Sequence, residues 1–153
     1  MKPLPHHYHV RLTGGPKGHA QLLADGMPHL SMAPPLDFGG PGDAWSPEHL
    51  LLASVQACFL FTLRAVARNA QIPFLGLEVE AVGTLDRTDG VTRFTEIVLE
   101  AQVTVPAGVD RHRVREVVEK SKKACLISAS LATPVRLDFT ITEQTVAPES
   151  AVA

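Results

Sequence analysis

The sequence feature that most constrains the fold is an apolar run of fourteen residues, LLLASVQACFLFTL, from Leu50 to Leu63. A helix that spans a membrane needs about 20 apolar residues, whereas a run of about 10–14 is more typical of a buried core helix. Polar residues interrupt this run, and Glu48 and Arg64 flank it. We therefore expect a core helix of a soluble protein and no membrane partner.

Local signals mark where this helix begins. Ser46 can cap it, Pro47 suits the first helical position, and Glu48 favours the positive end of the helix dipole. The pattern predicts a helix from there to about Ala70, with a surface that is apolar almost all round from Leu50 to Ala67. Such a helix must be covered on every side. Because a chain of 153 residues has little material for this, the pattern indicates an oligomer.

The remaining patterns predict an α+β fold. Period-two alternation on both sides of Asp89-Gly90 predicts a long antiparallel hairpin, and a second, amphipathic helix should run from about Asp110 to Ala124. Strands are expected at residues 7–12, 20–24, 28–32, 78–83, 95–103 and 134–141. The predicted organisation is a single domain over residues 1–142, followed by a flexible C-terminal tail over residues 143–153.

Composition excludes several classes of protein. Fourteen Lys and Arg residues against sixteen Asp and Glu give a net charge of −2, whereas a nucleic-acid-binding surface needs a basic excess. Two cysteines are too few for a disulfide framework, and the sequence has no C-x-x-C metal motif. The first ten residues, MKPLPHHYHV, lack the apolar core of a signal peptide. We expect a cytoplasmic protein that does not bind nucleic acid.

The two cysteines, Cys58 and Cys125, lie 67 positions apart. By composition alone, free cysteines are most often buried as small hydrophobic residues. The alternative is a thiol pair that reduces peroxides, in which a thiolate becomes a sulfenic acid and a resolving cysteine condenses with it. That chemistry needs nearby sulfurs and a cation beside the attacking thiol. Since no Lys or Arg occurs between Lys17 and Arg64, the cation must come from elsewhere in the fold or from another chain.

Two sequence motifs resemble a known family. The segment FGGPG at residues 38–42, followed by SPEHLLLASVQAC at residues 46–58, resembles the signature of the OsmC/Ohr family. A second segment, ACLISASL at residues 124–131, resembles the resolving-cysteine segment of that family, which often reads C-P-x-S-x-A. The resemblance extends from about His7 to Ile141 in the same order of elements.

The resemblance implies a fold, an activity and a set of site residues. The fold would be an intertwined homodimer, with antiparallel sheets wrapped around long buried central helices and two sites at the subunit interface. Cys58 would be the peroxidatic thiol, Cys125 the resolving thiol, and Glu48 the carboxylate that orients an activating arginine. The substrates would be organic or lipid hydroperoxides, the reductant a small dithiol or a lipoyl-type protein, and the role detoxification in oxidative stress. No metal, flavin or haem cofactor is implied.

The chain departs from the family pattern at the activating arginine. Where the two branches of the family carry it, this chain has Gly15-Pro16-Lys17-Gly18 and Leu36-Asp37-Phe38. Lys17 is the nearest cation and is the candidate replacement, although an ammonium group lacks the bidentate fork of arginine. His49 and His29 are further candidates. In addition, Leu126 follows Cys125 where the family motif often has proline.

Two kinds of function therefore remain open. In an organic hydroperoxide reductase, the Cα atoms of Cys58 and Cys125 should lie within about 7 Å, in reach of a disulfide. Glu48 lies ten residues before Cys58, about 15 Å along the helix, so it can approach this thiol only across a subunit interface or past a break in the helix. The alternative is a non-catalytic protein on the same fold: a module that binds a small apolar ligand, in which the cysteines lie apart or are unreactive, or a thiol sensor, in which Cys58 reacts but does not turn over.

Overall fold

The structure, a computed structural model, describes residues 3–145. The chain forms two compact units that divide between Leu51 and Leu52, within the long helix. The α+β class is confirmed, and the two long helices and the main strands follow in the predicted order.

The first unit contains a small antiparallel sheet. Its strands are β1 (Arg11–Thr13), β2 (Ala20–Leu23) and β3 (Leu30–Met32), in the order β1-β2-β3. Gly26, at the turn between β2 and β3, has φ +74°, a conformation that glycine adopts without strain. A 3₁₀ helix, Leu36–Phe38, follows the sheet. Strand β1 is shorter than the expected segment of residues 7–12 and starts later.

Helix α1 (Pro47–Ala70) has the predicted bounds. One stripe of this helix is buried at every fourth position, at Val55, Phe59, Leu63 and Ala67. By length and composition alone the helix could cross a membrane, but its buried stripe belongs to the hydrophobic core of the second unit. On another face, the side chain of Phe61 is 60% exposed. Residues 3–145 therefore cover only part of the apolar surface of α1.

The second unit is built around a three-stranded sheet. Strands β4 (Gly76–Thr88) and β5 (Val91–Pro106) form the predicted antiparallel hairpin. Its turn places Asp89 at φ +53° and Gly90 at φ +78°, in the left-handed region that tight hairpin turns require. The inward side chains of β5 pack with the buried stripe of α1.

One expectation about the sheet is wrong. The last strand, β6 (Val135–Gln144), pairs with β5 in parallel and not in antiparallel orientation. The physical reason is the connection between them, because α2 (Arg111–Lys123) and α3 (Leu126–Ala129) return the chain to the end of the sheet where β5 begins its pairing with β6. Parallel neighbours need a crossover of this kind.

Helix α2 is amphipathic, as predicted, and buries one stripe of residues, Val114, Val117, Val118 and Ser121. Asp110 caps it, since its Oδ1 accepts hydrogen bonds from the backbone N–H groups of His112 at 2.9 Å and Arg113 at 3.4 Å. Val114, Val117 and Val118 join the same core as β5. The helix is therefore fixed against the sheet, and its end determines where Cys125 lies.

Strand β6 continues through Glu143 and Gln144, the first two residues of the segment assigned to the tail. Glu143 Oε1 accepts a hydrogen bond from Arg111 Nη1 at 3.2 Å, and this contact, with the backbone N–H of Gly108, lowers the pKa of Glu143. Residues 146–153 of the expected tail lie outside the described residues.

Candidate active site

The two cysteines, distant in sequence, meet in the second unit. Cys58 lies in the middle of α1 and is partly buried, whereas Cys125 is the residue that precedes α3 and is only 1% exposed. Both are free thiols, and each is among the groups that shift the pKa of the other. The connection between β5 and β6, which contains α2 and α3, places Cys125 near Cys58 of α1.

The surroundings of Cys58 favour its thiolate. Burial raises the pKa of the Cys58 thiol, but hydrogen bonds from the backbone N–H of Ile127, the side chains of Cys125 and Thr62, and the backbone N–H of Leu126 outweigh it. The pKa of Cys58 is therefore lower than that of an ordinary cysteine. The Thr62 hydroxyl, one helical turn further along α1, lies 4.0 Å from the Cys58 sulfur.

Cys125 is shifted in the opposite direction. Burial raises the pKa of the Cys125 thiol, and the neighbouring Cys58 raises it further. Hydrogen bonds from the side chain and backbone of Ser128 offset only part of this effect; the Ser128 hydroxyl donates to the Cys125 sulfur at 3.2 Å. The pair is therefore asymmetric, because its surroundings lower the pKa of Cys58 and raise the pKa of Cys125.

The groups that favour the Cys58 thiolate are neutral. Within the described chain, no lysine, arginine or histidine is among the groups that shift its pKa. Thr62 was recognisable as a neighbour four residues along the helix, and Ser128 stands inside the second motif. The amide donors of Leu126 and Ile127 could not be read from the sequence, because nearly every residue carries a backbone N–H and only the fold decides where it lies.

Glu48 lies in the first unit, in the first turn of α1. The residue is partly buried, and its Oε2 atom is buried without a hydrogen-bond partner among the described residues. Beside it is a largely apolar groove of about 400 Å³, bounded by the sheet of the first unit, the Pro34–Phe38 segment and the first turn of α1. An unpartnered buried carboxylate oxygen is costly, so this position is suited to receive a donor.

The candidate cations of the first unit do not supply that donor. Lys17 is exposed in the bend that follows β1, and the ion pairs found within residues 3–145 do not include it. His49 contacts Ser46 instead, because its Nδ1 is 3.0 Å from the Ser46 hydroxyl and its own backbone N–H donates to Ser46 Oγ at 3.3 Å. These contacts cap α1, as predicted for Ser46. His29 is exposed.

This chain is similar to the proteins of one known family. The model of a protein family described as OsmC-like protein matches residues 40–140. The chain belongs to the OsmC family. The matched segment includes both cysteines and Glu48, whereas Lys17 lies before it. The family resemblance seen in the sequence is thus confirmed.

Individual OsmC-family relatives agree with this assignment. An organic hydroperoxide resistance protein from Xanthomonas axonopodis pv. citri is 31% identical over 138 residues, covering 88% of this chain and 91% of the relative. The peroxiredoxin OsmC of Escherichia coli is 30% identical over 94 residues, covering 61% of this chain and 65% of the relative. The solved structure of an OsmC-like protein from Vibrio cholerae matches the fold with a TM-score of 0.81 at 17% identity, covering 89% of this chain and 100% of that one.

Proposed function

We propose that this protein is a homodimeric, cysteine-based reductase of organic or lipid hydroperoxides that acts in the cytoplasm during oxidative stress. The observation that carries the proposal is the meeting of Cys58 and Cys125, whose pKa values are shifted in opposite directions by their surroundings. An attacking thiol must be a thiolate, and its resolving partner must be close. The family relatives named for organic hydroperoxide resistance and as a peroxiredoxin support the same class of reaction.

The chemistry proceeds in three balanced steps. The Cys58 thiolate attacks the terminal oxygen of a hydroperoxide ROOH; the O–O bond breaks, Cys58 becomes a sulfenic acid, and the alkoxide takes a proton and leaves as the alcohol. The Cys125 thiol then attacks the Cys58 sulfur, forming the disulfide and releasing water. A dithiol, such as a lipoyl group, reduces this disulfide to two thiols and becomes a disulfide itself.

A second copy of the chain would complete the molecule. The exposed face of α1, which includes Phe61, is apolar surface that one chain leaves uncovered, and an exposed apolar patch of this kind is typical of an interface. The Glu48 oxygen that has no partner among the described residues supports the same proposal, because a second chain would be a source of the missing donor. Glu48 and Lys17 are proposed as further site residues on the basis of the family resemblance, Lys17 as the cation.

One alternative, a module that binds a small apolar ligand, predicts cysteines that lie apart or are unreactive, and the mutual effect of Cys58 and Cys125 on their pKa values favours the enzyme over it. The other alternative, a thiol sensor, predicts a Cys58 that reacts without turnover, so the turnover assay separates it from the enzyme. The apolar groove beside Glu48 could accept the alkyl part of a hydroperoxide as readily as an inert ligand, so it does not separate the two functions.

The test is turnover of cumene hydroperoxide with dithiothreitol or a lipoyl donor, for the wild type, Cys58→Ser and Cys125→Ser. Cys58→Ser should consume no peroxide. When no dithiol is added, Cys125→Ser should consume about one equivalent of peroxide. It should then accumulate a Cys58 sulfenic acid, which a sulfenic-acid reagent detects. Turnover that persists in Cys58→Ser, or a wild type that neither turns over nor alkylates rapidly at Cys58, would overturn the proposal.

A further inference from the structure

Two loops of the first unit meet at one ion pair. His19 stands at the end of the connection between β1 and β2, and Asp43 stands in the loop that precedes α1. The Nε2 atom of His19 lies 2.7 Å from Asp43 Oδ1, which is at the short end of the range for a hydrogen bond between nitrogen and oxygen. The contact therefore joins two loops whose contacting residues are 24 positions apart in the sequence.

The loop that carries Asp43 is fixed at both ends. At its start, the backbone N–H of Gly40 donates to Pro35 O at 3.0 Å. A Cβ atom at Gly40 would overlap Pro34 O, so this close approach of the backbone requires glycine. At its end, Trp45 is paired with the last residue of β3. Asp43 therefore stands on a well-anchored segment.

The β1–β2 connection has no comparable support. Within residues 3–145, no hydrogen bond or ion pair involves residues 15–18. Gly18 has φ +83°, a left-handed conformation that glycine adopts without strain. The contact of His19 with Asp43 therefore ties a weakly held connection to a fixed loop.

Both of the joined segments line the largely apolar groove beside Glu48. Gly18 and Ala20, on either side of the histidine, belong to the lining of this groove, and so does Phe38, which precedes the loop with Asp43. Separation of the histidine from the aspartate would therefore let one part of the lining move away from the other.

We propose that His19 and Asp43 form a clasp that holds the β1–β2 connection against the loop before α1, and so keeps the groove beside Glu48 shaped to bind an apolar molecule. This inference goes beyond the proposed function, because it concerns binding in the first unit and requires no reaction at Cys58. Since Lys17 belongs to the same connection, the clasp also limits where that lysine can lie. The two side chains are 38% and 60% exposed, and exposed ion pairs are weak, so we expect effects of a few-fold.

Limited proteolysis with trypsin measures the opening of the connection, because Lys17 is exposed and is followed by Gly18. Asp43→Ala should raise the rate of cleavage after Lys17 by about two- to fivefold, the range expected for an exposed ion pair. Asp25→Ala is the matched control, since Asp25 is an exposed carboxylate of the same unit without an ion pair among the described residues. Asp43→Asn, which keeps an oxygen that can accept from His19, should lie between the two. Equal rates for Asp43→Ala and Asp25→Ala would overturn the clasp.

A double-mutant cycle separates the clasp from independent effects of its two residues. His19 lies two residues after Lys17, so His19→Ala can itself alter recognition by trypsin. This effect is present in both variants that carry the substitution, and it cancels when they are compared. The double variant, His19→Ala with Asp43→Ala, should be cleaved no faster than His19→Ala alone. Two effects that simply multiply would contradict the proposal.

The consequence for the groove is tested with 2-phenyl-2-propanol, the alcohol that corresponds to cumene hydroperoxide. This probe has an apolar body and no O–O bond, so it cannot oxidise a thiol. Its dissociation constant, followed by NMR through the methyl groups of Ala20 and Met32 in the groove lining, should rise about two- to fivefold in Asp43→Ala and stay unchanged in Asp25→Ala. Because no peroxide is used, failure of the proposed function would leave this result intact. Equal affinity in the two variants, or a wild type whose Ala20 and Met32 signals do not respond, would overturn the inference.

Discussion

Phe61→Ala should convert the proposed dimer into a monomer at ordinary working concentrations. Phe61 is 60% exposed on the uncovered face of α1, and a phenylalanine side chain buries about 150–250 Å² when fully covered. About 120 Å² per chain is therefore available to a partner, which at about 25 cal/mol per Å² gives about 3 kcal/mol. Since a two-fold interface uses the same residue twice, the dimer would gain about 6 kcal/mol from the pair.

Truncation to alanine removes most of that area. A loss of about 2 kcal/mol per chain, or about 4 kcal/mol per dimer, weakens the dissociation constant by about a thousandfold. The Arg64 guanidinium lies 5.4 Å from the centre of the Phe61 ring, so the mutation also removes a cation–π contact of up to about 1 kcal/mol at an exposed site. Because Phe61 lies outside the buried stripe of α1, the fold of the single chain should survive.

Sedimentation equilibrium over a dilution series measures this effect. Met27→Ala is the control, because Met27 is 64% exposed but lies beside the β2–β3 turn. The reasoning would be refuted by a Phe61→Ala protein that dissociates at the wild-type concentration, or by a wild type that is monomeric throughout the series.

Two further predictions concern the thiols and the sheet. Because the pKa of Cys58 is lowered and that of Cys125 is raised, the alkylation midpoint of Cys58 should lie at lower pH; the reverse order would contradict the assigned roles. Gly83→Ala should destabilise the fold by about 1–3 kcal/mol, since its Cβ would lie 2.6 Å from Phe94 Cε1 and 2.9 Å from Leu52 Cδ2. An unchanged midpoint of urea unfolding would contradict this prediction, because Phe94 and Leu52 would then move aside without destabilising the fold.

Much of the fold follows from local signals that the sequence displays. The start of α1 was predictable because Ser46 and Pro47 act within a single turn of helix. The β4–β5 hairpin was predictable because Asp89-Gly90 suits its turn and the flanking residues alternate. The parallel pairing of β6 was missed, because a period of two is the same for both strand directions and only the path of α2 and α3 decides between them.

The candidate site was predictable only in part, for a related reason. Sequence motifs consist of side chains, and here they indicate Cys58, Cys125 and Glu48. Two of the four donors that act on Cys58 are the backbone amides of Leu126 and Ile127, which leave no mark in the sequence. Leu126 is visible in the sequence as a departure from the family motif, but its consequence depends on where the turn after Cys125 places its N–H.

The hydrogen-bond donors around Cys58 bear on the lack of an arginine at the two family positions, residues 15–18 and 36–38. A side-chain cation would have to be supplied by one particular residue, and Lys17 is exposed and takes part in none of the ion pairs within residues 3–145. Within the described chain the groups that lower the pKa of Cys58 are neutral donors, so a contribution from Lys17 would add to theirs. A cation acts over distance and weakens with salt, whereas a hydrogen bond at a partly buried sulfur is screened less, so the salt dependence of Cys58 alkylation would separate the two kinds of stabilisation.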